Sequence, residues 1–389
     1  MRSEFLPYCR PAIDAADIAA VVDTLQRGWL TTGPKVRQFE PMFVQAAGVK
    51  HAVGLNSATA GLHLGLLAMG VGPGDDVVLP SLSFVAGANI AVQIGARPVF
   101  CDVDPETLSV SVETIAAALT PRTKAIMTMH YAGRPASAEP IMAFARPRGI
   151  AVLEDAALAI GMLDDGRWSG TRADAAVFSF YATKNVTSAE GGMFVSNDDA
   201  LTDRVRTLAL HGMDRDAWKR YERGGSWRYD IVAHGYKDNM PDLAAALGIS
   251  QLAKLEAMQR RREEIAAAYL QALKDIPGIT AAGLGKMKPS DRHSWCMFVI
   301  EVDAAKAGIS RDAMIDALRG ANIGTSVHYI PSHLFTAFKG FEHGRLDATE
   351  SVWQRLISLP LYPTMTDADA SDVIAALRNI VDSALATVP

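Results

Sequence analysis

Short β-rich segments alternate with helix-length segments from about residue 52 onward, and this alternation constrains the fold more than any other feature. The β-rich segments have the sequences DVVLPS, ARPVFCDV, KAIMTMH, IAVLEDA, AAVFSF and GGMFVS. Such an alternation is typical of an α/β domain with a largely parallel sheet. Because ligands of these sheets bind outside the carboxyl ends of the strands, the residues that follow the strands are the candidates for a functional site.

A boundary between two domains is predicted near residue 275. A long helical stretch runs from about Pro241 to about Leu273, and Pro277-Gly278 then interrupts the chain. We therefore expect a large α/β domain with an N-terminal arm over residues 1–275 and a smaller α+β domain over residues 276–389. The polar, glycine-bearing stretch from about Asp214 to Tyr229 predicts a loop, and loops of this length often cover active sites.

The first helix is predicted from its ends and its apolar pattern. Asp14 can cap the first turn, and Gly28 suits the left-handed conformation that ends many helices. Between them, one apolar stripe at helical spacing consists of Ile18, Val21, Val22 and Leu25. The sequence therefore predicts a helix between Asp14 and Gly28.

The composition excludes several classes of partner. The 389 residues are 49% hydrophobic and 21% charged, with a net charge of -5, so the protein has no general attraction to nucleic acid or to an anionic membrane. We expect no membrane-spanning segment, and the N-terminus lacks the apolar core of a signal peptide. The three cysteines fit no metal-ligand spacing, so we expect reduced thiols in a cytoplasmic protein.

Two polar residues follow strand-like segments and indicate the chemistry. Asp155 ends the segment AVLED, and Lys184 follows AAVFSF within FSFYATKNVTSAEGG. A lysine amine can form a Schiff base with pyridoxal phosphate, and a carboxylate can keep the pyridinium nitrogen protonated so that the ring withdraws electrons. Either residue alone is more often a solvated lysine or a helix cap. The prediction of a pyridoxal phosphate site depends on the pair.

A phosphate site is predicted at the start of one helix. The segment LNSATAGLHLGLLAMG begins with the capping residues Asn56 and Ser57 and continues as a helix that is apolar nearly all round. The free backbone N–H groups at Ala58 and Thr59 can bind a phosphate there. An ordinary capped core helix would have the same pattern.

Further candidates lie in the loops. Ser179, five residues before Lys184, is within reach of a phosphate, and Gly191-Gly192 permits a tight return into the next strand. Phe84 is either a core aromatic residue or a ring that stacks on a flat cofactor. Polar residues in loop-like segments that could contact a substrate, or have only structural roles, are His130, His328 and Tyr329.

Motifs for other cofactors are absent from the sequence. No GxGxxG follows a strand, and the sequence has no GxxxxGK[ST], HExxH, CxxC or EF-hand pattern. Dinucleotide and P-loop sites therefore lack support, and no metal is expected.

Six motifs follow one another along almost the whole chain: TTGP, NSATAGLHLGL, PSLSFVAGANI, VLEDAALAIG, FSFYATKNVTSAEGG and GYKDNMPDLAAALGISQL. In this order they resemble the DegT family of fold type I aminotransferases, which act on nucleotide-linked keto sugars. The resemblance implies an enzyme that depends on pyridoxal phosphate and forms a homodimer with composite active sites.

The resemblance also implies roles for individual residues. Lys184 would form the Schiff base and then transfer protons, Asp155 would pair with the pyridinium nitrogen, and Phe84 would stack on the ring. The groups that would hold the phosphate are the backbone of Ala58 and Thr59, the hydroxyl of Ser179, and Asn239 of the partner subunit. Contacts with the substrate are expected at Thr31, Lys237, His328 and Tyr329.

The implied reaction has two half-reactions. L-Glutamate leaves its amino group on the cofactor as pyridoxamine phosphate and departs as 2-oxoglutarate. A keto sugar then receives the group, with Lys184 moving the proton in both directions. The expected acceptor is a UDP-linked 4-keto sugar, in amino sugar biosynthesis for lipopolysaccharide or another polysaccharide.

Two positions depart from the family pattern. Leu158 occupies the position where the family usually has His or Gln near the phenolic oxygen of the cofactor, and Asp238 replaces a common aromatic residue. Lys184 disfavours the related dehydratases, which have histidine at that position. The alternatives that stay open are a sugar dehydratase or cyclitol aminotransferase of the same fold, and a non-catalytic regulatory protein that retains the fold.

Overall fold

The computed structural model describes residues 2–136, 138–214, 228–341 and 344–387. Most of the loop predicted between Asp214 and Tyr229 lies outside these residues. The helices are α1 (Ala15–Arg27), α2 (Pro34–Ala47), α3 (Ala58–Ala68), α4 (Ala86–Gln93), α5 (Val112–Ala118), α6 (Ala138–Ala145), α7 (Asp199–Ala209), α8 (Asp242–Ala253), α9 (Leu255–Leu273), α10 (Ala304–Ala307), α11 (Arg311–Gly320), α12 (Asp347–Trp353) and α13 (Asp367–Ala386).

A seven-stranded, mostly parallel sheet lies at the centre of the larger core. Its strands are β1 (His51–Leu55), β2 (Asp76–Pro80), β3 (Arg97–Cys101), β4 (Thr123–Met129), β5 (Ala151–Asp155), β6 (Ala175–Ser179) and β7 (Gly192–Ser196). Their spatial order is β1-β7-β6-β5-β4-β2-β3. Only β7 runs against its neighbours, β1 and β6. The sheet confirms the predicted α/β class.

Helices cover both faces of this sheet because side chains of a strand point alternately to opposite faces. On β2, Val77 and Leu79 pack with α3, α4 and α7, whereas Val78 packs with α5 and α6. Another apolar cluster joins α2 and α8 to the second face. The strands are therefore buried on both faces, as their nearly continuous apolar sequences require.

A smaller core surrounds a three-stranded antiparallel sheet. Its strands are β8 (Ile279–Ala281), β9 (Phe298–Val302) and β10 (Leu356–Leu359), in the order β10-β9-β8. Ile265 and Tyr269 from the second half of α9 pack in this core, and so does Leu6 from the N-terminal arm. The arm is held there because Leu6 N donates to Asn322 O at 2.8 Å. A domain boundary near residue 275 stays a prediction.

The ends of α1 are those that the sequence predicts, but its apolar stripe does not face the core. Asp14 caps the first turn, and Gly28 follows the last turn with φ +77°. Ile18 is nevertheless 59% exposed. The buried face is polar instead, because Asp17 accepts hydrogen bonds from Gln251 at 2.8 Å and from Lys254 at 2.6 Å. The apolar stripe is therefore available to another surface.

Gly192 permits close contact between the start of β7 and the first turn of α3. A Cβ atom on Gly192 would lie 2.4 Å from Ser57 O and 2.6 Å from Ala58 N. The sequence predicted that Gly192 permits a tight turn. In the structure, glycine is required here because the N-terminus of α3 lies against the strand, and the φ of Gly192 is not in the left-handed region.

We expect Gly192→Ala to destabilise the protein by about 1–3 kcal/mol, because the added methyl group must displace the first turn of α3. Urea unfolding measures this change. Gly72→Ala is the matched control, since a Cβ atom there would meet no heavy atom within 4 Å. Equal stability of the two variants would contradict the packing argument.

Candidate active site

The carboxyl ends of several strands meet at one edge of the large sheet. Asp155 ends β5 and Ser179 ends β6, while Ser57 follows β1. Since β7 alone runs in the opposite direction, its first residue, Gly192, lies at the same edge. The fold therefore brings together the segments in which the sequence predicts a site.

Lys184 lies in the loop between β6 and β7. Its backbone N–H donates to Tyr181 O at 2.9 Å, which fixes the turn, and the side chain is half-buried. Within the described part of the chain, the Lys184 amine forms no ion pair or hydrogen bond. Its charge nevertheless acts on Asp155, because it lowers the pKa of that carboxyl. Lys184 is thus an unpaired amine near a buried carboxyl.

Burial raises the pKa of Asp155 above its ordinary value. The side chain is 8% exposed and accepts one backbone hydrogen bond, from Ala157 N at 3.0 Å. This hydrogen bond and the charge of Lys184 lower the pKa but do not offset burial. The ionised carboxylate therefore lacks a full partner within the protein, and a bound cation would stabilise it.

The N-terminus of α3 is open toward the same edge. Ser57 caps the helix by accepting from Ala60 N at 3.0 Å. Ala58 is half-buried and Thr59 is exposed, and the first N–H groups of a helix have no partner within the helix. Ser179 is buried, and its hydroxyl accepts from Tyr181 N at 3.3 Å. These groups can bind an anion.

Phe84 is not a core residue. Its side chain is 57% exposed, and its ring centroid lies 6.1 Å from that of Tyr329 with the planes tilted by 53°. Of the two interpretations of Phe84, the geometry favours a ring that is available to a flat ligand.

His328 and Tyr329 are neutral side chains beside Lys184 and Asp155. Burial, and secondarily the charge of Lys184, lowers the pKa of His328 to about 4. The His328 ring is held by a contact of 2.8 Å between Nδ1 and Ser358 Oγ. Burial, with a contribution from Asp155, raises the pKa of the Tyr329 phenol. Both groups can form hydrogen bonds with a ligand without adding charge.

Of the two interpretations of His130, a substrate contact or a structural role, the structure favours the structural role. The residue is fully buried, and both ring nitrogens have protein partners. Nδ1 accepts from Ala136 N at 3.1 Å, while Nε2 lies 3.1 Å from Glu154 Oε1 and 3.0 Å from Ser169 Oγ. His130 N also donates to the backbone oxygen of Asp155 at 3.2 Å. His130 therefore supports the strand end that carries Asp155.

Three residues predicted to bind cofactor or substrate lie apart from Lys184 within one chain. Asn239 pairs with Leu55 on the outer side of β1, two strands away from β6. Lys237 Nζ donates to Asn239 Oδ1 at 2.5 Å, and Thr31 O accepts from Asp242 N at 3.2 Å. Thr31, Lys237 and Asn239 thus form a separate group at the sheet edge.

Leu158 is buried in an apolar cluster against which Tyr329 packs. Its backbone oxygen accepts from Ser294 Oγ at 2.6 Å. The position at which the resemblance implies a polar residue is therefore apolar here and close to the phenol of Tyr329.

Tyr8 and Cys9 also lie beside the site, although the sequence pattern does not predict this. Cys9 Sγ donates to Thr183 O at 3.5 Å, and the ring of Tyr8 lies 5.3 Å from that of His328. No local motif distinguishes these residues. They reach the site only because Leu6, in the same arm, pairs with Ile323.

The arrangement fits pyridoxal phosphate. Lys184 offers an unpaired amine for the aldehyde, the buried Asp155 offers a carboxyl for the ring nitrogen, and the open start of α3 offers N–H groups for the phosphate. Within the described residues, no three His, Cys, Asp or Glu side chains are grouped to hold a metal. In the same part of the chain, no helix combines the length and hydropathy needed to cross a membrane. The fold and site define a pyridoxal phosphate enzyme of fold type I.

Comparisons with known proteins identify the family. The model of the DegT/DnrJ/EryC1/StrS aminotransferase family matches residues 11–378. The chain is 46% identical to the spore coat polysaccharide biosynthesis protein SpsC of Bacillus subtilis (strain 168), over 98% of this chain and 99% of SpsC. The chain belongs to this family and is a pyridoxal phosphate-dependent aminotransferase.

Two solved structures are similar to this chain in fold over almost its whole length. The aminotransferase TlmJ from Streptoalloteichus hindustanus has a TM-score of 0.89 and 36% identity, over 97% of this chain and 99% of TlmJ. DesI, solved in the presence of its TDP-sugar product, has a TM-score of 0.89 and 34% identity, over 100% of this chain and 95% of DesI.

We expect Asp155→Asn to stabilise the cofactor-free protein at neutral pH. Because the folded-state pKa of Asp155 is raised, its stability contribution is present below the unfolded-state pKa and is lost as the pH rises through the folded-state value. Asparagine stays neutral throughout. The difference in unfolding free energy between variant and wild type should therefore grow from pH 4 to pH 7.

Urea unfolding at several pH values measures this difference. Asp203→Asn is the matched control, since Asp203 is exposed on α7. Adding pyridoxal phosphate should stabilise the wild type more than Asp155→Asn. A variant less stable than the wild type at pH 7 without cofactor would contradict the argument.

Proposed function

We propose that the enzyme transfers the amino group of L-glutamate to a nucleotide-linked keto sugar, with a UDP-linked 4-keto sugar as acceptor. The observation that carries this proposal is the unpaired Lys184 amine beside the buried carboxyl of Asp155. Bound pyridoxal phosphate supplies an electron sink that makes the proton on the amino-bearing carbon removable.

Lys184 and Asp155 have complementary roles in this proposal. The Lys184 amine would hold the aldehyde end of the cofactor and would move the proton during each half-reaction. Asp155 would stay ionised and keep the ring nitrogen of the cofactor protonated, because a positive ring nitrogen is the partner that the buried carboxylate lacks. Phe84, whose ring is exposed at the site, would stack on the cofactor.

The start of α3 would hold the phosphate of the cofactor. The backbone N–H groups of Ala58 and Thr59 and the hydroxyl of Ser179 are its donors, and the helix dipole favours the negative charge. Asn239 of the partner subunit completes the site. This role accounts for the distance between Asn239 and Lys184 within one chain.

We also propose a homodimer, because Asn239 is assigned to the site of the partner subunit. Exposed apolar residues of the first helix and the arm offer a contact surface, and they are Phe5, Ile13, Ile18, Val22 and Leu25. Burial of such residues in a dimer would remove apolar surface from water. The three cysteines are free thiols, which is consistent with action in the cytoplasm.

The sugar acceptor is inferred from the names of relatives and from segments that are similar in sequence. SpsC is named for polysaccharide biosynthesis, and DesI has a TDP-sugar product. Sequence similarity to UDP-4-amino-4-deoxy-L-arabinose aminotransferase supports a UDP-linked acceptor. The similar segments are SEFLPYCRPAI, GWLTTGPK, LTPRTKAI, HYAG and GISRDAM. Contacts are proposed at Thr31, Lys237, His328 and Tyr329, with Leu158 tuning the ring.

A panel of nucleotide-linked sugars tests the proposal. UDP- and TDP-linked 4-keto and 3-keto sugars are incubated with L-glutamate, and the products are identified by mass spectrometry. Amination of UDP-linked 4-keto sugars is expected. Reaction with TDP-linked sugars alone would overturn the choice of nucleotide, and loss of water without amination would favour a dehydratase.

We expect Lys184→Ala to lower amino transfer by about 10³-fold, since general acid–base catalysis contributes on this order. Stability should change little, because the amine forms no ion pair or hydrogen bond with any residue that the structure describes. Lys124→Ala, at an exposed position near the start of β4 on the opposite edge of the sheet, is the matched control. Full activity of Lys184→Ala would overturn the catalytic assignment.

A further inference from the structure

Arg262, on α9, is a buried cation without an acidic partner. Its side chain is 2% exposed. Nη1 donates to Trp295 O at 3.1 Å and to Leu361 O at 2.9 Å, but Nε is buried without a partner. Within the described part of the chain, Arg262 forms no ion pair.

A buried guanidinium that lacks a counter-ion is costly, because desolvation of an ion costs several kcal/mol unless an opposite charge offsets it. The groups that act on the charge of Arg262 are Cys296, Cys9 and Tyr8. Burial raises the pKa of both Cys9 and Tyr8, so these side chains stay neutral and cannot balance the charge. An anion from outside the protein would do so.

Arg134 provides a comparison within the same molecule. It is also buried, donates to Pro135 O and Gly285 O, and has an unpartnered Nε. Three carboxylates, those of Asp291, Asp104 and Asp164, nevertheless act on its charge. Arg262 differs because no carboxylate among the described residues acts on its charge.

Hydrogen bonds to the same short segment place Arg262 close to Lys184. Asn185, next to Lys184, donates to Ser294 O at 2.7 Å, and Arg262 donates to the following carbonyl, Trp295 O. The thiol of Cys9, whose pKa both Arg262 and Lys184 lower, contacts Thr183 O. The guanidinium is therefore near the loop that carries the reactive amine.

An anion bound by Arg262 would lie at a different position from a phosphate bound at the start of α3. The start of α3 lies against Gly192 on β7, on one side of β6. Ser294, beside Arg262, contacts Leu158 O after β5, on the other side. Lys184 follows β6, between the two. An amino acid whose amino-bearing carbon lies at Lys184 would carry its α-carboxylate one bond away from that carbon.

We infer that Arg262 binds the α-carboxylate of the amino donor, with Tyr8 and Cys9 as neutral neighbours. This inference rests on the proposed function in that the enzyme takes an amino acid as donor. A carboxylate would supply the opposite charge that the guanidinium lacks among the described residues. The site would thus prefer amino acids to simple amines as donors.

The first experiment compares L-glutamate with 4-aminobutyrate, which lacks the α-carboxylate. Conversion of the enzyme to its pyridoxamine phosphate form is followed by absorbance. We expect the wild type to prefer L-glutamate strongly and Arg262→Gln to lose about 10- to 100-fold of this preference, in KM for L-glutamate. The KM for the keto sugar and the rate with 4-aminobutyrate should stay unchanged.

The matched control is Arg134→Gln, which removes a similar buried guanidinium and should leave the donor preference unchanged. Arg262→Lys keeps the charge and should restore part of the preference, so a poorly folded Arg262→Gln would still leave a test. Equal use of both donors by the wild type, or an unchanged KM in Arg262→Lys and Arg262→Gln, would overturn the inference and indicate a purely structural arginine.

The second experiment does not depend on activity. 2-Oxoglutarate is titrated into the cofactor-free protein, and the melting temperature is measured, since a ligand that binds only the folded state raises it. The rise should occur in the wild type and Arg134→Gln but be smaller in Arg262→Gln. An equal rise in all three proteins contradicts the site.

These outcomes separate the inference from the proposed function. An Arg262-dependent rise without sugar amination would preserve the carboxylate site and reject the acceptor. Amination with no effect of Arg262 would preserve the function and reject the site.

Discussion

Burial of the Asp155 carboxyl at the end of β5 is the constraint on which the site depends. Its partners within the protein, Ala157 N and the charge of Lys184, do not offset desolvation. The unbalanced charge of the buried carboxylate therefore raises the free energy of the folded protein, and a ligand cation can lower it. The same reasoning applies with opposite sign to Arg262, which is buried and forms no ion pair with the described residues.

The large sheet positions one charge and the smaller core positions the other. Asp155 and Ser179 end adjacent parallel strands, so backbone pairing fixes their separation. Arg262 and Leu6 belong to elements that pack in the smaller core, and the arm carries Cys9 to the loop of Lys184. The candidate site therefore lies where the two cores meet, which is a common location for ligand sites.

Local pattern predicted the parts of the structure that local forces decide. The ends of α1 follow from Asp14 and Gly28, because capping involves only neighbouring backbone groups. The parallel sheet follows from apolar segments that need burial on both faces. Lys184 and Asp155 were identifiable because strand ends are readable from the sequence pattern, and an amine and a carboxylate at neighbouring strand ends predicted a pyridoxal phosphate site.

The sequence left questions open where distant parts of the chain decide the surroundings of a residue. His130 is in a loop-like segment, and its structural role became clear only because Glu154 and Ser169 contact its Nε2. The stripe of α1 is exposed because polar contacts with α8 attach the opposite face.

The sequence by itself determined the fold class, the strand ends and the residues that can react, because these depend on neighbours along the chain. Only the tertiary structure decided which charges are left without partners, as desolvation and pairing depend on what packs around a group. The burial of Arg262, the approach of Cys9 and the separation of Asn239 from Lys184 belong to this second class. Residues far apart in sequence determine each of them.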